Sequence, residues 1–63
     1  MTLNEALTEV LQEAGVAIDP GSCLWVMDKG RGEVWIYMEN PNGEITSHYA
    51  LWFDLQRKIV MKK

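Results

Sequence analysis

The chain has 63 residues, with six Lys plus Arg against nine Asp plus Glu for a formal net charge of -3, and a pI near 4.9, which is the scale of one small domain spanning residues 1–63. Hydrophobic residues make up 48% and charged residues 24%, so a disordered acidic tail, a collagen-like repeat and a mucin-like stalk are excluded. One cysteine, Cys23, and one histidine, His48, supply neither an internal disulfide nor a four-ligand zinc site, and an unstapled chain of this length is expected to draw extra burial from a partner, commonly a second copy of itself.

Thr2-Leu3-Asn4-Glu5 fits a capping box, which predicts a helix start. Leu3, Ala6, Leu7, Val10, Leu11 and Ala14 then recur at helical spacing, with Asn4, Glu5, Thr8, Glu9, Gln12 and Glu13 opposite. Gly15 is placed to supply a left-handed cap, and Val16 or Ile18 to fold back on the last turn. Asp19-Pro20-Gly21-Ser22 reads as a loop.

Beyond it the apolar period changes from 3.6 to 2. Strands are expected at Cys23 to Asp28, Glu33 to Glu39 and Glu44 to Phe53, turned by Lys29-Gly30-Arg31-Gly32 and by Asn40-Pro41-Asn42-Gly43. The second turn has the signature of a type I turn closed by a glycine bulge. A weaker turn at Asp54-Leu55-Gln56-Arg57 leads to a fourth strand over Lys58 to Lys62. The expected fold is α+β: one N-terminal helix packed on an antiparallel three- to four-stranded meander.

The bulged turn pairs Met38 with Thr46, Ile36 with His48 and Val34 with Ala50, and the register assigns faces. Trp35, Tyr37, Ile45, Tyr49, Leu51 and Phe53 share the more apolar face, which the helix is expected to cover. The opposite face carries Val34, Ile36, Met38, His48, Trp52 and Val60. One helix covers one face of a sheet, so this second face is expected to be open, an apolar surface closing a homodimer or docking another protein.

Chemistry is sparse. Cys23 has no visible feature that would lower its pKa and reads as a buried inert thiol. Ser47 and His48, adjacent in a strand, point to opposite faces and cannot pair as nucleophile and base. His48 itself reads as a packed histidine or an interfacial pH sensor. Asp28, Glu33, Glu39 and Glu44 lack calcium-loop spacing, and Gly30-Arg31-Gly32 lacks a phosphate-loop context. No cofactor and no enzymatic activity are expected.

All nine acids precede residue 55, whereas Arg57, Lys58, Lys62 and Lys63 follow it. Arg57, Lys58 and Lys62 are therefore candidate anion contacts, and with sheet aromatics they define an alternative reading as a single-stranded nucleic-acid binder, which the net charge opposes. The longest apolar runs have five residues, too short to span a bilayer, and no secretory signal is read at the start, so a cytoplasmic location is expected. The stretch Tyr49-Ala50-Leu51-Trp52-Phe53-Asp54-Leu55-Gln56-Arg57-Lys58-Ile59-Val60 resembles the ending of the small inhibitory modules called PepSY domains, which close on alternating strands with an acidic turn and a lysine before the last strand. No functional residue is carried across from it.

Overall fold

The structure is a computed structural model that describes residues 1–60, with side chains up to Ile59. Its order is α1 (Leu3–Glu13), β1 (Cys23–Gly30), β2 (Glu33–Glu39), β3 (Ile45–Leu51) and α2 (Trp52–Val60). The fold is α+β: an antiparallel sheet in the order β1-β2-β3 with both helices against one face.

The capping box forms as its residue types require. Glu5 donates its backbone N–H to Thr2 Oγ1 at 3.1 Å, while Thr2 donates its own N–H to Glu5 Oε1 at 2.7 Å. At the other end Gly15 takes φ +83. The Val16 and Gly15 amides then reach back to the carbonyls of Leu11 and Gln12, each at 3.0 Å, which satisfies the last turn of α1.

Asn40 sets the β2–β3 turn. Its Oδ1 accepts from the Asn42 and Glu44 amides at 3.0 and 2.9 Å, and its backbone pairs with Glu44 and Gly43. Pairing follows as the turn dictates: Met38 with Thr46, Ile36 with His48 and Val34 with Ala50. At the opposite end a bulge between Asp28 and Gly30 tightens the first turn, where Asp28 accepts from the Gly30 amide at 2.8 Å and Arg31 sits at φ 59.

Two expectations are corrected. The segment assigned to the end of the third strand and to a fourth strand is α2, so Trp52, Phe53 and residues 58–60 are helical. Trp52, Leu55 and Ile59 recur at i, i+3 and i+7; Leu55 is fully buried and the other two pack against the core. Asp54 in the first turn and Arg57 and Lys58 in the last match the helix dipole. The strand ending that resembled a PepSY domain is therefore not present.

The second correction concerns the faces. The core is Ala6, Leu7 and Leu11 of α1, Val34 and Ile36 of β2, Ala50 of β3 and Leu55 of α2, with Leu24 and Val26 packed against it. Val34 and Ile36, expected on the open face, are fully buried. Small and β-branched side chains form a smooth surface that helices can approach closely. The aromatic face would hold a helix further off and would bury the Tyr37 and Tyr49 hydroxyls, which on the outside remain hydrated. Among the described residues no helix is long and apolar enough to cross a membrane.

Candidate interaction face

Pairing lays the uncovered face out in four rows across the three strands. Cys23, Glu39 and Ile45 form the first, Trp25, Tyr37 and Ser47 the second, Met27, Trp35 and Tyr49 the third, and Gly30, Glu33 and Leu51 the fourth. The aromatic neighbours engage across strands. Trp25 and Tyr37 stack with centroids 5.7 Å apart and planes 10° apart. Trp35 and Tyr49 meet edge to face at 6.0 Å and 77°. Each geometry suits the ring quadrupoles and holds the side chains upright and rigid.

These side chains meet water. Trp25 is 38% exposed, Met27 47%, Tyr49 54%, Ile45 57% and Leu51 43%. Seven residues by three strands measure about 23 by 14 Å. Taking those fractions, and part of Trp35 and Tyr37, against full side-chain areas of roughly 150–250 Å², the apolar surface is about 600 Å², the upper end of what soluble monomers show. Charges stand at its ends: Lys29 and Arg31 around the β1–β2 turn with Asp28 and Glu33, and Glu39 and Glu44 around the β2–β3 turn.

The sequence-predicted residues are distributed otherwise. Val34 and Ile36 are core, and Met38 and His48 share their helix-covered side of the sheet. His48 Nε2 is buried there without a hydrogen-bond partner. Trp52 lies in α2, partly buried against the core. The side chain of Val60, and Lys62 altogether, lie outside the described residues. Cys23, read as buried, is exposed at the start of β1. The face that does stay open was assigned as a group by the register, and its members Trp35, Tyr37, Ile45, Tyr49 and Leu51 were placed together, but beneath the helix.

Of the candidate anion contacts, the two among the described residues are already engaged. Lys58 Nζ donates to Glu9 Oε1 at 2.7 Å and to Glu13 Oε2 at 2.8 Å. Its pKa is raised from 10.5 by the hydrogen bond to Glu13 and then that to Glu9. Arg57 lies over the Phe53 ring, 5.7 Å from its centroid. Both belong to α2, on the helical layer of the molecule. Beside them an open groove of about 1010 Å³ runs between α1, β3 and α2, lined among others by Val10, Ala14, Ala50 and Asp54. It holds the Lys58 cluster and no juxtaposed nucleophile and base. Among the described residues, no group of three His, Cys, Asp or Glu could hold a metal ion.

No protein-family model, curated protein or solved structure matches this chain.

Proposed function

We propose that the chain is a small non-enzymatic accessory protein that works by docking another protein surface on its open sheet face. The carrying observation is that two stacked or edge-on aromatic pairs, with Met27, Ile45 and Leu51, face water while both helices occupy the other side of the sheet. Covering about 600 Å² of apolar surface is worth roughly 15 kcal/mol at ~25 cal/mol/Å² before the costs of association. Trp, Tyr and Met are the residues in which interfaces concentrate that energy, and rigid rings lose little entropy when covered.

Alternation supports a binding role over catalysis, because Ser47 joins the open face and His48 the covered one. A nucleic-acid platform would want a surplus of cations beside the rings, whereas Lys29 and Arg31 at one end are balanced by Asp28 and Glu33, Glu39 and Glu44 stand at the other, and Lys58 is held by two carboxylates. An exposed, unpaired Cys23 suits a reducing compartment, which supports action in the cytoplasm.

The test places a photoreactive amino acid at position 49 or 27 and irradiates the protein in the cells that make it. Covalent protein adducts are expected, and their yield should fall when Trp25→Ser is added. Absence of any protein adduct, including one to the chain itself, refutes the reading.

A further inference from the structure

Resting on the reading of the open face as a protein-docking surface, we infer that its occupant is a second copy of this chain, packed face to face with the strands antiparallel, so that the β1–β2 end of each copy lies over the β2–β3 end of the other.

Area and charge both favour it. Two copies covering about 600 Å² each remove roughly 1,200 Å², the lower bound for a specific, stable interface. A flat, rigid face of upright aromatic side chains packs on its own image as two sheets do, at a spacing of ~10 Å. A two-fold axis in the plane of that contact can run along the strands or across them. Along the strands, it brings like ends together. Glu39 of the open face would then oppose the partner's Glu39, with Glu44 of each copy at the rim beside it, and the end that carries no Lys or Arg would meet its own image.

Across the strands, the same operation sets each acidic end over the end where Lys29 and Arg31, the two Lys or Arg residues between positions 23 and 51, balance Asp28 and the open-face Glu33, so an acidic end meets a neutral one instead of its own image. Among the described residues, the ion pairs are those of Lys58 with Glu9 and Glu13, so Lys29, Arg31 and Glu39 bring their charges to the interface uncommitted. The symmetry makes every such contact twice, which raises the penalty for like ends and the gain for unlike ones.

Sedimentation equilibrium of the full chain, from micromolar to near-millimolar concentration, is the experiment. The expected mass rises with concentration from 7.2 kDa to twice that, and Trp25→Ser with Tyr49→Ser weakens association roughly thirtyfold or more while circular dichroism stays that of the folded chain. Lys29→Glu and Glu39→Lys, both at the rim and so without effect on folding, each weaken it about three- to tenfold, and combining them in one chain restores it. Weakening by Glu39→Lys alone, with recovery in the combined variant, is the signature of crossed ends, because with like ends together Glu39→Lys would relieve the acidic end and strengthen association.

A chain that stays monomeric throughout overturns the second copy as occupant. The wider reading then stands if position 49 cross-links to a different protein, and falls with it if nothing is captured. A dimer untouched by Trp25→Ser with Tyr49→Ser uses another surface, and a combined variant weaker than either parent refutes the crossed arrangement.

Discussion

The two faces of this sheet carry similar amounts of apolar material and have opposite fates. Leu24, Val26, Val34, Ile36 and Ala50 lie under α1 and α2, whereas Trp25, Met27, Tyr49 and Leu51 lie under water. The difference is one of shape and hydration. Aliphatic side chains interdigitate with Leu7, Leu11 and Leu55 and leave no polar atom to satisfy, while rings that pair with one another across strands and carry hydroxyls keep part of their stabilisation without a covering layer. Total hydrophobicity is a poor guide to which face a helix takes.

The comparison can be broken most sharply at the centre of the covered layer. Leu55→Ala is expected to cost about 2–5 kcal/mol in urea unfolding, enough to unfold much of so small a domain. Its location in α2 makes it the direct test that this segment is helical core and not a fourth strand. A cost below ~1 kcal/mol would mean that α2 does not close the core. His48→Leu tests the same layer with the opposite sign. It removes a buried nitrogen that has no partner and should raise stability by about 1 kcal/mol, whereas a loss of that size would show that the imidazole is satisfied.

On the open face, Trp25→Ser gives up the stacked contact with Tyr37 and little burial, so about 0.5–1.5 kcal/mol is expected from the same measurement at concentrations below self-association. The smallest effect is the alkaline one. Lys58 has a folded-state pKa raised above 10.5 by Glu13 and Glu9, so its contribution is complete below pH 10.5 and disappears as pH rises through the higher folded value. Wild type should therefore lose slightly more stability than Lys58→Met on titration above pH 10.5, and equal losses would show that the two hydrogen bonds do not persist in solution.

Much of this was legible in the chain. Thr2 and Glu5 marked the helix start, Gly15 its end, and Asn40 with Gly43 gave the register of β2 on β3 to the residue. These are local signals, in which a few neighbouring side chains satisfy the backbone in one way. A period of two tells which residues share a face and is silent on which face is covered, so the open group was recognised and placed on the wrong side. Leu51-Trp52-Phe53 continued an apolar run past the true strand end. The expected turn at Asp54-Leu55-Gln56-Arg57 cut across the helical stripe of Trp52, Leu55 and Ile59, which is too short to stand out beside it. Nor could the chain announce that Lys58 meets Glu9 and Glu13, partners 49 and 45 positions away.

The direct passage from Leu51 into Trp52, strand to helix with no intervening residue, has a consequence for how this protein can vary in length. Here the phase of α2 is locked to the register of β3, and the Trp52 amide donates to the Gly32 carbonyl at 2.8 Å. One residue inserted at that joint would turn the helix by about 100° and carry Leu55 out of the core. An insertion between positions 19 and 22, past the core-packed Val16 and Ile18, would lengthen a loop. Functional insertions and deletions should therefore collect between α1 and β1 and be absent at the β3–α2 joint.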